Sequence, residues 1–388
     1  MTAELPQVAI AAPTDLLLDV SADERQRFWQ LSGAHSSPTT RWQAYLNHLS
    51  LHAVLEWLRD EDDRARPWPR ASAATSIWEV VNGAAVQLSD GTRMTIVADE
   101  ATDSSEMRVP QEWVEIPSWS ASYYLAVQVE PEDGWVRLWG YATRQQVIAC
   151  GRFDAGDRAY CISADDLVTD ISLLHVARAF CPTESAPPEV VPLPPLPLAQ
   201  AESLLQRLGN SELLTPRLAV SFSLWGALME HGGWRQRLYR RRTGQPDVRS
   251  VVTWLQQGLT EVAGQLGWER LQVAELGAGA RGEITQTDTV LSKSVMVGDR
   301  EYELRLFPRR ELEAGQWRFE LRALTNRVEP GTTLRLLSED LQPFAGNAVT
   351  ASAEAEALYV DVAIASGEGI VWEIDPMPED YEREILRF

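Results

Sequence analysis

The stretch Trp317–Ala323, WRFELRA, alternates apolar and polar residues and decides the fold of the carboxyl-terminal part of the chain. A period of two with one apolar face is typical of a half-buried antiparallel strand. The runs Leu358–Ile364 and Ile370–Ile374 repeat this pattern, and Ser366–Glu368 supplies a glycine-bearing turn between them. We therefore predict an antiparallel β-sandwich domain with a buried core over residues 269–388.

The amino-terminal part mixes helical and strand patterns. Ser21–Glu24 has the spacing of a capping box, and a longer amphipathic helix begins at Ser37-Pro38. The turns Asp90-Gly91 and Asp133-Gly134 each lie between runs of period two, which predicts two antiparallel hairpins. Residues 1–181 are thus predicted to form an α+β domain.

A proline-rich segment separates this domain from the rest. Seven prolines between Pro182 and Pro197 disfavour helix and sheet, so residues 182–198 are predicted to be a stiff linker. Residues 199–268 have helical periodicity, clearest from Pro246 to Leu266 with Gly267 as the stop. This helical segment is expected to pack on the β-sandwich, and the overall class is α+β.

Composition limits the function. The 388 residues are 45% hydrophobic and 23% charged, which is typical of a globular protein of two or three domains. The net charge of -21 argues against a protein that coats nucleic acid or binds an anionic membrane. No long apolar run and no basic leader are present, so a soluble, cytoplasmic protein is expected.

Cysteine and histidine usage gives no support for a cofactor or metal. Cys150, Cys161 and Cys181 are odd in number and widely spaced, which indicates reduced thiols. His48 and His52 lie four apart on a helix, but no third histidine follows, so a structural role is expected. We predict neither a bound cofactor nor a metal.

Motifs of known chemistry lack their required context. Gly277–Gly282 matches a dinucleotide-binding pattern, but the residues that follow favour a strand where that site needs a helix. Glu339-Asp340 and Glu379-Asp380 are paired carboxylates in predicted loops, where solvated charge is the ordinary explanation. No Gly-x-Ser-x-Gly elbow occurs. No catalytic residue is predicted.

One segment is strongly basic in this acidic chain. It reads WRQRLYRRR and offers arginine forks and aromatic faces for an acidic protein surface, a phosphate or single-stranded nucleic acid. The candidate partner-binding residues are Trp234, Arg235, Arg237, Tyr239, Arg240, Arg241 and Arg242. The alternative, favoured here, is that these arginines pair with the protein's own carboxylates.

A second aromatic feature lies on the predicted second hairpin. Trp135, Trp139 and Tyr141 share one face if the strand is regular. A buried core face is the favoured interpretation, and an exposed one would be a partner site.

Four segments carry a resemblance to a known family. WRFELRAL at Trp317, LRLLSEDLQPF at Leu334, GEGIVWEI at Gly367 and YEREILRF at Tyr381 resemble the cyanobacterial family catalogued as domain of unknown function 1822. Upstream, RWQAYLNHL at Arg41, the run Ala219–Leu228 and WRQRLYRRR at Trp234 resemble the same family, so the likeness covers nearly the whole chain and excludes mainly the linker and the region of Pro67. The resemblance implies a cyanobacterial, cytoplasmic protein and a genetic context near sigma factors and other signalling proteins. It supplies no reaction.

Three functions are therefore open. The first is a non-catalytic regulatory or scaffolding protein that binds another protein, with a sigma factor or signalling protein as the implied partner. The second is an enzyme or small-ligand receptor with a pocket between the helical segment and the β domain. The third, nucleic-acid binding through the arginine-rich segment, is disfavoured by the overall charge.

Overall fold

The computed structural model describes residues 14–69, 71–100, 104–180, 190–245, 250–259, 263–264, 266–274, 287–308, 315–378 and 381–388. The fold is α+β, as expected. Contacts divide the chain into two compact units. The first contains Met1–Leu196, Ala201–His231 and Arg235–Gln245, and the second contains Pro197–Gln200, Gly232–Trp234 and Pro246–Phe388.

Among the described residues of the first unit, nine strands build two sheets. In chain order they are β1 (Leu16–Asp19), β2 (Arg66–Trp68), β3 (Ala84–Gln87), β4 (Arg93–Asp99), β5 (Glu106–Pro110), β6 (Tyr123–Glu130), β7 (Trp135–Thr143), β8 (Arg152–Asp154) and β9 (Ala159–Ser163). The larger sheet has the order β1-β7-β6-β4-β3-β2, and the smaller has the order β5-β9-β8. Both predicted hairpins are confirmed as the antiparallel pairs β3/β4 and β6/β7.

The larger sheet differs from a purely antiparallel arrangement in one place. Strands β4 and β6 are parallel, with Met94 opposite Tyr123. Alternation of side chains reports which face is buried but not the strand direction, so the sequence pattern could not reveal this pair. The sheet is therefore mixed.

Before the proline-rich segment, the described residues also form six α-helices: α1 (Ala22–Leu31), α2 (Pro38–Arg59), α3 (Ala71–Trp78), α4 (Gln111–Glu115), α5 (Arg144–Cys150) and α6 (Leu173–Phe180). Ser21 and Ser37 cap α1 and α2, and each cap has the reciprocal hydrogen bonds of a capping box. Both predicted helix starts are confirmed. Helix α2 buries residues such as Leu46, Leu49 and Val54 in the first unit's core.

In the part of the chain with described bounds, four helices follow: α7 (Leu198–Leu208), α8 (Phe222–Glu230), α9 (Gly232–Arg242) and α10 (Val251–Gln257). Residues 263–264 are helical as well. Residues 190–197 contain no helix or strand, and Leu196 is buried. The helix predicted from Pro246 to Leu266 is shorter in the structure, because α10 is capped by Ser250 and ends at Gly258, whose φ is +99°. Only glycine adopts that backbone readily, so the helix stops before Gly267.

Where the structure describes the second unit, it has nine strands: β10 (Trp268–Ala274), β11 (Thr287–Val297), β12 (Arg300–Pro308), β13 (Gln316–Ala323), β14 (Thr333–Ser338), β15 (Ala348–Thr350), β16 (Ala357–Ala363), β17 (Gly369–Asp375) and β18 (Leu386–Arg387). They form antiparallel sheets of order β10-β11-β12-β13-β16 and β15-β14-β17-β18. The turn at Ser366–Glu368 carries the chain from the first of these sheets to the second.

The alternation that defined this region at sequence level is confirmed by burial. Trp317, Phe319 and Leu321 on β13 are buried, as are Ile370 and Trp372 on β17. Both sheets and helix α10 contribute to one hydrophobic cluster. The core of the second unit is therefore shared between the two sheets.

Some predicted features lie outside the described residues. These are the glycine-rich stretch Gly277–Gly282, the pair Glu379-Asp380, Pro246, Cys181 and the first part of the proline-rich segment. Of the other cysteines, Cys150 is exposed, Cys161 is buried, and both are free thiols.

Candidate functional site

The arginine-rich segment is largely buried in the structure. It forms helix α9, where Trp234, Arg235, Tyr239, Arg240 and Arg242 are each less than 9% exposed. Arg237 and Arg241 keep 12% and 29% of their side chains in contact with solvent. Five of the seven residues predicted to bind a partner therefore lack the exposure that a docking surface requires.

The hydrogen bonds of Arg242 show how a buried arginine of this helix is neutralised. Its Nε donates to Oε1 of Glu79 across 2.9 Å, and its Nη1 donates to three backbone carbonyls at the end of α7 and beyond, those of Leu208, Asn210 and Leu213. Burial raises the pKa of Glu79, but hydrogen bonds from His35, Ser36 and Arg242 outweigh it and leave that pKa below its ordinary value. The pair is a structural ion pair inside the first unit.

The other basic side chains of α9 also have internal partners. Arg235 donates to Ser76 Oγ and to the Met229 carbonyl, and burial lowers its pKa to about 10. Arg237 makes two hydrogen bonds to the Glu202 carboxylate, which Arg241 also approaches at 3.6 Å. In the second unit, Trp234 donates its indole N–H to Glu339.

Buried carboxylates elsewhere in the first unit are likewise satisfied. Glu112 is fully buried on α4 and accepts two hydrogen bonds from Arg217, at 2.9 and 2.6 Å, and one from the Trp225 indole at 2.8 Å. Both carboxylate oxygens of Glu112 therefore have hydrogen-bond donors inside the protein, as a buried charged group requires. Its geometry indicates a structural role.

The second unit contains a comparable group that the sequence analysis missed. Glu384 accepts hydrogen bonds from Lys293 Nζ and from the indoles of Trp268 and Trp372, at 2.8, 3.1 and 2.8 Å. The Lys293 ammonium also lies 5.6 and 5.3 Å from the centroids of these two rings. One sequence feature could have drawn attention to this group, because Lys293 is the only lysine in the sequence.

An accessible pocket lies on the first unit where α1 and α2 meet the β6–β7 turn. It has a volume of about 240 Å³ and is lined by Trp29, Trp42, Tyr45, Pro131 and Glu132. Trp29 is 38% exposed although it is a large aromatic residue. Exposed aromatic groups of this kind mark interaction sites more often than isolated exposed residues do.

The three rings form one cluster. The centroids of Trp29 and Trp42 are 6.0 Å apart, those of Trp29 and Tyr45 5.4 Å, and those of Trp42 and Tyr45 5.5 Å. Trp42 and Tyr45 lie three residues apart on one face of α2, while Trp29 comes from the end of α1. The edge-to-face and tilted angles between them are favourable for aromatic rings.

The β6–β7 turn, which contributes Pro131 and Glu132 to the pocket, is held against α1. Arg25 on α1 donates from Nη1 to the carbonyls of Pro131 and Glu132, at 2.8 and 2.6 Å, which holds the turn against the helix. Gly134 closes that turn with a φ of +80°. An added Cβ at Gly134 would lie 2.9 Å from the Val20 carbonyl, so only glycine fits this approach.

Two acidic residues lie close to the aromatic cluster. Glu132 is exposed and lines the pocket, and the Trp42 indole donates to Glu100 Oε2 at 2.6 Å. The guanidinium of Arg41 already lies 3.9 Å from the centroid of Trp29. An aromatic face beside carboxylates is the usual environment for binding an ammonium or guanidinium group.

The comparisons with known proteins identify a family. The family model described as a protein of unknown function (DUF1822) matches residues 18–387. The chain belongs to this family. The resemblance noted in the sequence is confirmed, and the description of DUF1822 names no activity. No curated protein and no solved structure matches this DUF1822 chain. Within the described ranges, no helix has the length and apolar character needed to cross a membrane.

The remaining predicted residues of this DUF1822 member are distributed over the first unit. Trp139 and Tyr141 are buried, whereas Trp135 is partly exposed, because a bulge at Trp139 interrupts the alternation of β7. His48 stacks on Phe28 with centroids 5.4 Å apart, and burial lowers its pKa to about 4. His52 points instead to the Glu24 carboxylate.

Proposed function

We propose that this DUF1822 protein is a non-catalytic regulatory or scaffolding protein, and that its aromatic pocket binds a basic segment of another protein. The observation that carries the proposal is the cluster of Trp29, Trp42 and Tyr45, which lines one pocket together with the exposed residue Glu132. A lysine or arginine side chain of the partner would enter the pocket and contact the aromatic faces. The arginine-rich helix is not the contact surface in this proposal, since its side chains are mostly buried.

Charge supports this choice of partner. The protein carries a net charge of -21, so it attracts a basic surface over a distance of several ångströms and repels nucleic acid. Long-range attraction increases the rate of encounter, whereas the pocket provides the specific contact. The contact between Arg41 and Trp29 supports the same conclusion, because it is an internal example of a guanidinium bound on this cluster.

The partner is a protein that exposes a flexible segment with several Lys or Arg residues. Signalling proteins, including sigma factors, are the class that the family resemblance suggested, and their basic segments are the first to compare. The buried carboxylates support a non-catalytic role, because Glu79 and Glu112 are both held by arginine.

The experiment uses a fluorescein-labelled peptide of alternating Arg and Ser as a probe and measures fluorescence anisotropy. The matched peptide replaces each Arg by citrulline, which keeps the shape and removes the charge. We expect the arginine peptide to bind and the citrulline peptide to bind at least about tenfold more weakly, because cation–π contact and ion pairing both need the charge. Binding should weaken at high salt.

Variants separate the pocket from the overall charge. Trp42→Ala should weaken binding about tenfold, and Glu132→Gln about threefold. Glu212→Gln is the matched control, since it removes the same charge from an exposed residue that does not line the pocket, and it should leave binding unchanged. Equal binding of the arginine peptide by wild type and Trp42→Ala would contradict the proposal. Stronger binding of a single-stranded oligonucleotide than of the arginine peptide would contradict it too.

A further inference from the structure

Three side chains with metal-binding atoms meet where α1 and α2 pack together. Glu24 belongs to α1, and His52 and Glu56 lie four residues apart on α2. The ligand atoms of all three lie within 4.8 Å of one another. His52 Nε2 is 2.6 Å from Glu24 Oε1 and 3.7 Å from Glu56 Oε1. We propose that these residues bind a divalent transition-metal ion, with Zn²⁺ as the preferred ion.

The spacing fits the coordination geometry. Zn²⁺ binds imidazole nitrogen and carboxylate oxygen at about 2.0–2.2 Å, so two tetrahedral ligand atoms are separated by roughly 3.4 Å. The two distances from His52 Nε2 lie on either side of that value. Small rotations of the two glutamate side chains therefore bring all three ligand atoms to bonding distance. The remaining coordination positions are open to water, because Glu56 keeps 62% of its side chain exposed.

Neighbouring groups hold two of the ligands in position. Glu24 Oε2 accepts hydrogen bonds from Ser21 N and Ser21 Oγ, at 3.0 and 2.7 Å, and this capping box leaves Oε1 directed at His52. The ring of Phe28 lies 5.2 Å from the ring of His52 and limits its rotation. Outer partners that orient the ligands are a usual feature of functional metal sites.

The donor set selects the type of ion. One imidazole and two carboxylates suit Zn²⁺ and its transition-metal neighbours, whereas Mg²⁺ and Ca²⁺ prefer oxygen ligands only. The pair first considered from the sequence, His48 with His52, does not form the site, because His48 stacks on Phe28 and makes an edge-to-face contact with Trp78. Glu24 is the third ligand instead. It lies on another helix, so the sequence alone does not show that it is close to His52.

The test is calorimetric titration of Zn²⁺ into the full chain, prepared without a histidine tag. We expect one Zn²⁺ per chain, weaker binding of Mn²⁺, and no heat from Mg²⁺. Glu56→Gln should reduce the Zn²⁺ affinity at least about tenfold, because it removes one charged ligand from an exposed position. His52→Ala should remove binding, with circular dichroism used to verify the fold.

Glu61→Gln is a matched control. Glu61 pairs with His175 at the surface, with side-chain exposures of 51% and 22% that resemble those of Glu56 and His52. Within the described part of the chain, no third ligand comes close enough to complete a site at that pair. The variant should bind Zn²⁺ as wild type does. The proposal is overturned if wild type binds no Zn²⁺ or if Glu56→Gln leaves the affinity unchanged. It is overturned too if Glu61→Gln lowers the affinity as much as Glu56→Gln does.

Discussion

Arg242 Nε and Glu79 Oε1 lie 2.9 Å apart, and neither side chain has more than 1% of its surface exposed. The ion pair links the end of α9 to Glu79, which follows directly after α3, inside the first unit. It also explains why the most basic segment of the chain is not a surface feature. A buried arginine and glutamate each need the other, because either one alone would be an uncompensated charge in the protein interior.

Replacing Arg242 by Ala should lower the free energy of unfolding of the first unit by about 3–5 kcal/mol, since Glu79 is then left without its guanidinium partner. Urea denaturation followed by circular dichroism measures the change. Arg241→Ala on the same helix is the control, and it should cost less than about 1 kcal/mol because Arg241 is partly exposed. Equal losses for the two variants would contradict the structure.

His48 should make the protein sensitive to mild acid. Burial, with smaller contributions from His35 and Arg27, lowers its pKa to about 4, whereas the unfolded chain has the ordinary value near 6.5. The unfolded state therefore binds a proton first as the pH falls, and stability decreases between about pH 6.5 and pH 4. From pH 7 to pH 5 the loss is about 2 kcal/mol. In His48→Gln, the urea midpoint should change less over this pH range than in wild type. An identical change in both proteins would exclude His48 as the cause.

Lys293 provides a chemical test of the second unit. Only 15% of its side chain is exposed, and its ammonium is bound to Glu384 between two indole rings. Acetylation with an N-hydroxysuccinimide ester should modify Lys293 at least about tenfold more slowly in the folded protein than in concentrated urea. Intact mass spectrometry reads this directly, since the amino terminus is the only other amine. Glu384→Gln should speed up the reaction, and fast labelling of native wild type would be the contrary result.

Two glycines with positive φ should respond differently to alanine. At Gly83 the φ is +111° and a Cβ would lie 2.7 Å from Trp113 Nε1, whereas at Gly91 the φ is +87° and no atom lies within 4 Å. Gly83→Ala combines backbone strain with a steric clash and should cost about 2–4 kcal/mol. Gly91→Ala carries only the strain, about 1–2 kcal/mol. Thermal unfolding should rank the two variants in this order, and the reverse order would contradict the packing around Trp113.

Local sequence signals predicted much of the fold. Ser21 and Ser37 marked the starts of α1 and α2 because helix capping depends on neighbouring residues only. The alternation in Trp317–Ala323 predicted the buried face of β13, because the direction of each side chain along a strand is also set locally. The parallel pairing of β4 with β6 was not predictable, since it depends on contacts between distant residues. The bulge at Trp139 broke an aromatic stripe that a regular strand would have formed.

The candidate sites were harder to predict. Trp42 and Tyr45 have the spacing of a helix face that packs on a core. They line a pocket only because Trp29 and the β6–β7 turn, which are distant in sequence, pack beside them. His52 and Glu56 are visible as an i, i+4 pair, but Glu24 joins them only after the helices pack. The arginine-rich segment shows the reverse case: its sequence indicates an exposed basic surface, but most of its side chains are buried in the structure. Burial depends on partners such as Glu79 and Glu202, which lie far away in the sequence.

The pairing of β1 with β7 sets an order for assembly during synthesis. Leu16 lies opposite Leu138 and Asp19 opposite Trp135, so β1 has no hydrogen-bonding partner in this sheet until the β6–β7 hairpin has been synthesised. Contacts between such distant residues form late and slow the folding of a nascent chain. Strand β1 can therefore complete the edge of its sheet only after β7 has been made, and until then one edge of β7 has unpaired backbone hydrogen-bonding groups.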